Sequence, residues 1–223
     1  MAAFLIVVAA GAGNRLGRPE PKALVPLLGR PLLSWTLEAL SAVPFAGTVI
    51  AAPPDRLDEV RRIAEEGKVV PGGATRGQSV RRAFEAGGVA GENVIVIHDA
   101  ARPFVSPREV EAVILAAEEV GAAIAVIPVP DTVKSVDRGR VTGTLDRSML
   151  WLAGTPQAFR GHVLARAIQT DREATDEAAL CEELGLPVAA VPISRLGFKI
   201  TTPEDLEIAE AILAARQRGG GGK

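Results

Sequence analysis

The feature that most constrains this chain is an alternation of short, continuously apolar runs with segments of helical periodicity. The run Val94-Ile95-Val96-Ile97 is typical, because it consists of β-branched side chains with no polar face, which predicts a strand buried on both sides. Strands of this kind form parallel sheets that helices cover on each face. The predicted fold class is therefore α/β, with a doubly wound, mostly parallel sheet.

The alternation continues along most of the chain. One helix start is well marked, because Ser106-Pro107-Arg108-Glu109 combines a capping-box pattern with proline at the first helical position. The length of 223 residues fits one domain, predicted over residues 1–218, and the glycine-rich end at 219–223 is predicted to be a disordered tail. Predicted strands are 3–9, 47–52, 93–98, 122–127 and 188–193, with weaker candidates at 68–70 and 198–201. Predicted helices are 31–42, 55–65, 76–87, 107–119, 160–169, 175–184 and a final one that begins near Pro203.

One segment, residues 130–151, breaks this pattern. Its residues alternate between polar and apolar around Arg138-Gly139-Arg140, which indicates a protruding two-stranded β-hairpin. Because an isolated hairpin is only marginally stable in water, we expect another surface to cover it. We favour an arm that packs against a second copy of the chain, which predicts a homodimer. A solvent-exposed edge hairpin is the alternative.

Composition argues against several classes of function. The formal net charge of −2 gives no support for nonspecific binding to nucleic acid or to a membrane surface. Aromatic residues make up 4% of the chain and tyrosine is absent, which argues against stacking of bases. The apolar run at residues 1–10 has no basic region and is too short to span a bilayer, so it is predicted to be a buried strand. Cys181 is the one cysteine, which excludes a disulfide framework and favours a cytoplasmic protein.

The first predicted strand leads into a glycine-rich loop that carries two cations. In sequence, Arg15 lies between Gly13 and Gly17, with Gly11 before them and Lys22 shortly after. Glycines let a ligand approach the backbone and expose N–H groups to anions. The spacing GxGxxxG and the lack of an acidic residue after the second strand argue against a dinucleotide-binding loop, and the P-loop pattern is missing. We favour a clamp for a triphosphate, with two solvated surface cations as the alternative.

Two further loops follow predicted strands. The loop 72–79 places two glycines, hydroxyls and Arg76 at the start of a helix, which suits nucleotide contacts or an ordinary turn capped by Thr75. Asp99 follows a buried strand at the edge of the sheet where ligands bind, and a carboxylate there can hold Mg²⁺ against phosphate oxygens. Arg102 could offer a two-pronged contact to a phosphate, or it could simply pair with Asp99.

Motifs along nearly the whole chain together resemble one enzyme family. They occur in the order AAGAGNR, PKAL, GGATRGQSV, HDAARP, PVPDTVK, LDRSMLW, TPQAF, ATDEA and FKITTPEDL, from residue 4 to about residue 212. In combination they resemble the 2-C-methyl-D-erythritol 4-phosphate cytidylyltransferases of the non-mevalonate isoprenoid pathway. The resemblance implies a Rossmann-like nucleotidyltransferase fold, Mg²⁺ as cofactor, and the joining of CTP and methylerythritol 4-phosphate with release of pyrophosphate. A cytidylyltransferase for another polyol phosphate, such as ribitol 5-phosphate, is the alternative.

The resemblance also implies roles for individual residues. Thr132, Arg147 and Thr155 would reach the site of a neighbouring subunit. Thr175 and Lys199 would contact substrate, although without the resemblance they could be only a helix cap and a strand-edge charge. The chain has Ala74 where the family carries an acidic residue. At this position only the backbone could then contact ribose or cytosine. The implied catalytic residues are Arg15, Lys22, Asp99, Arg147 and Lys199, with Asp99 also the metal ligand. The implied substrate-binding residues are Ala9, Ala10, Gly11, Gly13, Gly73, Arg76, Ser79, Ala100, Arg102, Thr132, Thr155 and Thr175.

Overall fold

The computed structural model describes residues 3–88, 91, 93–170, 172 and 174–220, with the backbone alone at 219 and 220. The strands in these residues are β1 (Ala3–Val8), β2 (Pro26–Leu27), β3 (Arg30–Pro31), β4 (Phe45–Ala52), β5 (Lys68–Pro71), β6 (Val94–Asp99), β7 (Ala122–Pro128), β8 (Lys134–Asp137), β9 (Arg140–Thr144), β10 (Trp151–Arg160) and β11 (Ala189–Pro192). The helices are α1 (Leu32–Leu40), α2 (Leu57–Ala64), α3 (Arg76–Gly87), α4 (Pro107–Val120), α5 (Gly161–Ile168), α6 (Glu177–Glu183) and α7 (Pro203–Gly220).

A seven-stranded sheet forms the centre of the described structure, with strand order β11-β7-β10-β6-β1-β4-β5. Neighbouring strands run parallel, except that β10 is antiparallel to both β6 and β7. The predicted α/β class with a mostly parallel sheet is confirmed. Because β1 and β6 are adjacent and parallel, their carboxyl ends meet, with Val8 in register with Asp99.

Both faces of the sheet are buried, which explains the continuously apolar strands. Leu5 and Val7 of β1 belong to a core cluster that includes residues of α1, α2 and α4. Ile6, between them, belongs to a second cluster on the opposite face, with residues of α3, α5 and α6. Since successive side chains of a strand point to opposite faces, one short strand contributes to two cores.

Strand β10 was not predicted from the sequence, because its first half contains Gly154 and Pro156. Both residue types are unfavourable within strands. The sheet accommodates them through a shift in register between Ala153 and Gln157. Pairing with β6 on one side and β7 on the other makes the segment a strand despite its local preference.

The weaker prediction of a strand at 198–201 is wrong. The segment is irregular and follows a short 3₁₀ turn at Arg195–Gly197. The Ile200 backbone N–H donates to the Ala101 carbonyl over 2.9 Å, and the Ile200 side chain is buried in a cluster that includes Leu206 of α7. Packing against α7 and the loop after β6 therefore fixes this segment without a strand ladder.

Helix α7 extends further than the sequence predicts. It continues to Gly220, two residues into the segment 219–223 that the sequence predicts to be a disordered tail. Residues 221–223 lie outside the described residues. No helix in the described part of the chain is both long and apolar enough to cross a membrane.

The predicted hairpin is present as β8 and β9, which form a two-stranded sheet separate from the central one. Apolar side chains on this arm and on the chain that leads from it into β10 are exposed. Val136 and Val141 are 62% and 64% exposed, and Met149 is 79% exposed. An uncovered set of large apolar side chains is typical of a surface that another protein covers.

Candidate active site

A cavity of about 280 Å³ opens at the carboxyl ends of β1 and β6. The loops after β1, β5 and β6 form its walls, in agreement with the general position of ligands in open α/β sheets. The lining includes many of the residues named from the sequence. These are Ala9, Ala10, Gly11, Lys22, Gly73, Arg76, Ser79, Asp99, Ala100 and Lys199.

The loop after β1 folds back on itself and thereby places Lys22 in the cavity wall. Gly13 has a left-handed backbone with φ of 73°, and the Lys22 N–H donates to the Gly11 carbonyl over 3.1 Å. A Cβ atom at Gly13 would lie 2.8 Å from the Lys22 Cβ, closer than real Cβ contacts come. Glycine is thus needed at position 13 for both its backbone conformation and its lack of a side chain.

Lys22 lies among other cations. Its Nζ atom is 3.4 Å from the Thr201 hydroxyl. Burial and the positive charges of Lys199 and Arg15 lower the pKa of Lys22 from 10.5 to about 8, against the opposite effect of Asp99. Arg15 is exposed and lies in a 3₁₀ turn, Asn14–Leu16, outside the residues that line the cavity.

Three cations surround the carboxylate of Asp99, the last residue of β6. Lys199 Nζ lies 2.8 Å from its Oδ2, Arg76 Nε lies 3.4 Å from its Oδ1, and Arg102 Nε lies 3.6 Å from its Oδ2. Burial alone would raise the pKa of Asp99, but Arg76, Lys199 and Arg102 outweigh it and hold this pKa far below its usual range. Asp99 is therefore ionised near neutral pH.

Arg102 and Thr155 support Asp99 from behind the cavity. Arg102 Nη1 donates to the Gly197 carbonyl over 2.7 Å, so this buried guanidinium connects Asp99 to the segment that precedes Lys199. The Thr155 hydroxyl accepts a hydrogen bond from the Asp99 backbone N–H over 3.0 Å. Neither residue is part of the cavity lining.

The loop between β5 and α3 has a close-packed backbone. The Gly73 N–H donates to the Ser79 hydroxyl over 3.0 Å, and a Cβ atom at Gly73 would lie 2.3 Å from the Gln78 Cβ. Thr75 caps α3 by accepting from the Gln78 N–H, as the sequence allows. The loop therefore presents backbone groups and Arg76 to the cavity from the start of a helix.

The structure does not bring every predicted residue to this cavity. Thr132 and Arg147 are exposed on the arm, where Arg147 Nη1 donates to the Pro130 carbonyl. Thr175 lies just before α6 and is not the helix cap, because Asp176 accepts the hydrogen bond from the Ala179 N–H.

Sequence reasoning missed Glu177, which pairs with a cavity residue. Its carboxylate is only 2% exposed, and its Oε2 lies 2.5 Å from Nη1 of Arg76. An acidic residue in the first turn of a helix is common because it complements the helix dipole. No signal in the sequence therefore distinguishes this buried carboxylate from an ordinary exposed one.

His98 is a core residue. It is fully buried, and its Nε2 lies 3.0 Å from the Arg102 carbonyl oxygen, to which it donates. Burial lowers the pKa of His98 to about 4, so the ring is neutral near pH 7 and is not placed to accept a proton from a ligand in the cavity.

The site suits reactions of phosphate groups. Glycine-rich loops expose backbone to the cavity, and several cations stand around one ionised carboxylate. Transfer of a phosphoryl or nucleotidyl group depends mainly on positioning and on neutralisation of charge, which such a site supplies. The fold and the site together define the chain as an α/β nucleotidyltransferase.

Comparison with known proteins narrows this class to one family. The family model described as 2-C-methyl-D-erythritol 4-phosphate cytidylyltransferase matches residues 3–215. The enzyme of that name from Pelotomaculum thermopropionicum is 43% identical over a gapped alignment of 226 positions, which covers 95% of this chain and 94% of the relative. The one from Syntrophus aciditrophicus is 39% identical over 221 positions, which cover 93% and 94%. The crystal structure of the Thermus thermophilus enzyme superposes with a TM-score of 0.80 at 36% identity, covering 94% of this chain and 98% of that one. The chain belongs to the 2-C-methyl-D-erythritol 4-phosphate cytidylyltransferase family.

Proposed function

We propose that this protein transfers the cytidylyl group of CTP to 2-C-methyl-D-erythritol 4-phosphate. The products would be 4-diphosphocytidyl-2-C-methyl-D-erythritol and pyrophosphate, in the synthesis of isoprenoid precursors. The observation that carries the proposal is the group of cations around ionised Asp99 beside a glycine-rich loop, in a chain that matches the family over residues 3–215.

The proposed chemistry is a displacement at the α-phosphorus of CTP. A phosphate oxygen of methylerythritol 4-phosphate forms a bond to this phosphorus, and the bond from the phosphorus to the bridging oxygen of the β-phosphate breaks. The electron pair leaves with pyrophosphate. Because the attacking oxygen is already anionic near pH 7, the reaction needs no general base. This agrees with a cavity lined by no histidine among the described residues, and with His98, next to Asp99, being buried and neutral.

The protein's part is to align two anions and to offset the charge that builds between them. We assign this task to Arg15, Lys22 and Lys199, with Asp99 holding Lys199 in place over 2.8 Å. The backbone of Ala9, Ala10, Gly11 and Gly13 would wrap the triphosphate, and Gly73, Arg76 and Ser79 would contact the base and ribose. Ala100, Arg102 and Thr175 would contact the sugar phosphate.

We propose Mg²⁺ as the cofactor. Mg²⁺ in nucleotide sites is commonly held by one or two carboxylates together with substrate phosphates and water. Asp99 is the one carboxylate among the described residues that line the cavity, and these residues contain no cluster of three or more metal-ligating side chains. This donor set fits an ion that arrives bound to CTP. Asp99 would hold that ion. When bound, Mg²⁺ would neutralise charge on the triphosphate.

We propose that the arm forms a homodimer in which Thr132 and Arg147 act near the site of the second subunit. The resemblance implies the same for Thr155, but this residue is buried and bonds to Asp99 of its own subunit, so it acts at its own site. The support is the exposure of Val136, Val141 and Met149 on and beside the arm, where burial of large apolar side chains would stabilise a dimer. We further propose a cytoplasmic enzyme, in agreement with a single, unpaired cysteine.

Release of pyrophosphate tests the function directly. The purified protein is mixed with CTP, Mg²⁺ and each member of a panel of phosphorylated polyols that includes ribitol 5-phosphate. We expect release with methylerythritol 4-phosphate and none above background with the others. Equal or faster release with ribitol 5-phosphate would support the alternative substrate, and the absence of release with all of them would refute cytidylyl transfer.

A further inference from the structure

Arg76 connects two buried carboxylates that belong to different parts of the fold. Its Nη1 lies 2.5 Å from Oε2 of Glu177 at the start of α6, and its Nε lies 3.4 Å from Oδ1 of Asp99 at the end of β6. The Arg76 side chain is 23% exposed, whereas the Glu177 side chain is 2% exposed. One edge of the guanidinium is thus tied inside the protein while Arg76 still lines the nucleotide cavity.

The two contacts of Arg76 differ in strength. A short charge-assisted hydrogen bond joins Arg76 to Glu177, whereas the contact to Asp99 is at the limit of hydrogen bonding. Burial opposes the charge of Arg76, but Glu177 and then Asp99 overcome this effect, and the pKa of Arg76 is raised. Glu177 is therefore the main anchor of the guanidinium.

Without the charge of Glu177, the nearest carboxylate to Arg76 is Asp99. The guanidinium would then move towards Asp99 Oδ1 and away from its present position in the cavity wall. Because a guanidinium has donors in fixed directions, fixing two of its nitrogen atoms also fixes the direction of the remaining ones. The donors that remain would be the ones available to a bound nucleotide.

From this geometry we infer that Glu177 is a positioning residue for nucleotide binding: it holds Arg76 in the cavity wall and keeps its contact with Asp99 a long one. The inference rests on the proposed function, in which Arg76 contacts CTP. It assigns no contact between Glu177 and the substrate, because the carboxylate lies behind Arg76 and is buried.

The test is Glu177→Gln, which keeps the size of the side chain and an acceptor oxygen but removes the charge. We expect the KM for CTP to rise on the order of tenfold, as for the loss of a charge-assisted hydrogen bond, with kcat within about twofold of wild type. Calorimetric titration with CTP alone should show the same loss of affinity. Glu183→Gln is the matched control, because Glu183 lies on the same helix as Glu177 and its ion pair with Arg172 is exposed. The KM of this variant for CTP should equal that of wild type.

A merely structural role predicts a different result, namely a lower kcat with an unchanged KM, because a part of the protein would be unfolded. A lower KM in Glu177→Gln would also overturn the inference, since it would mean that Glu177 acts only by repelling the triphosphate. If Glu177→Gln does not fold, Glu177→Asp replaces it, and we expect an intermediate rise in KM because the charge remains but the reach is shorter.

A double-mutant cycle separates action through Arg76 from independent action. If Glu177 acts through Arg76, the KM of Arg76→Gln should not rise further when Glu177→Gln is added. Effects on KM that multiply would contradict the inference. Failure of the proposed function would be recognised separately, because the wild-type protein would then release no pyrophosphate from CTP.

Discussion

Lys22 carries a charge that the folded protein does not favour. Its pKa of about 8 lies below the ordinary value of 10.5, first because of burial and then because of Lys199 and Arg15. The folded state thus binds a proton at Lys22 less readily than the unfolded state does. Below pH 8 both states are protonated and the charge costs stability, and this cost is relieved as the pH rises from about 8 to 10.5.

We therefore predict that Lys22→Met stabilises the protein while it inactivates the enzyme. At pH 7 the melting temperature should rise by about 2–4 °C, from a gain of about 1 kcal/mol that allows for partial solvent screening. The kcat should fall about 10²–10³-fold, as for the loss of one preorganised donor. Calorimetry and steady-state kinetics check the two parts, and normal turnover with only a weaker KM would contradict the role of Lys22 in the transition state.

The same pKa predicts the pH dependence of the wild-type enzyme. The value of kcat/KM for CTP should fall above about pH 8, because it reports the free enzyme, in which Lys22 loses its proton. In Lys22→Arg this fall should disappear, since arginine stays charged. Profiles between about pH 6.5 and 9.5 decide the point, and an identical fall in both proteins would assign it to another group.

Gly13 and Gly17 provide a matched pair in one loop. Both have a left-handed backbone, with φ of 73° and 63°, but only a Cβ atom at Gly13 would strike Lys22, since nothing lies within 4 Å at Gly17. Gly13→Ala and Gly17→Ala should each lose about 1 kcal/mol of stability from backbone strain. Only Gly13→Ala should also lower kcat/KM, by about tenfold or more, because it displaces Lys22. Equal kinetics of the two variants would show that the fold of this loop does not position Lys22.

At the scale of the element, sequence patterns predict strands and helices whose own residues favour them. Strand β1, residues 94–97 of β6 and most of β7 are continuous apolar runs. The start of α4 has the expected capping box of Ser106 and Glu109. Strand β10 is not predicted, because Gly154 and Pro156 disfavour a strand locally and only pairing with β6 and β7 makes the segment one. Glu177 escapes prediction for a similar reason, since its burial depends on a partner 101 residues away in the chain.

Many of the residues in the candidate site could still be named from the sequence. Lys22, Asp99 and Lys199 occur in motifs that combine to resemble one family, and each lines the same cavity. No pattern predicts that Lys199 lies 2.8 Å from Asp99, because this distance depends on the packing of the segment before α7. Arg147 lies elsewhere, on the exposed arm, so its proposed role depends on a second subunit.

The contact between β10 and β6 gives a prediction for Thr155. Its hydroxyl accepts from the buried Asp99 N–H, and Thr155→Val would leave this donor without its partner. We expect a loss of about 1–3 kcal/mol of stability and a lower kcat, because Asp99 is displaced. Thr155→Ser keeps the hydroxyl and should stay close to wild type in both denaturant unfolding and activity. A Val variant as stable as the Ser variant would show that the hydrogen bond contributes little.

At the scale of the whole molecule, the arm predicts sites that two subunits share. If Arg147 acts across the dimer, Arg147→Ala and Lys22→Ala subunits should each be inactive alone, but a hybrid dimer would contain one intact site. Equal mixing should restore about a quarter of the wild-type activity, since about half of the dimers are hybrids with one site each. Activity is measured after subunit exchange has been verified by mass spectrometry. No recovery after exchange would place Arg147 and Lys22 of one site in the same subunit.

Strand β10 begins at the exposed Trp151 beside the arm and reaches Thr155, which contacts Asp99, within a few residues. One short extended segment therefore joins the outer surface to the carboxylate at the centre of the candidate site. A contact made or lost at Trp151 would shift Thr155 and, through it, Asp99. If the arm pairs two subunits as proposed, turnover per molecule should decline once dilution separates them.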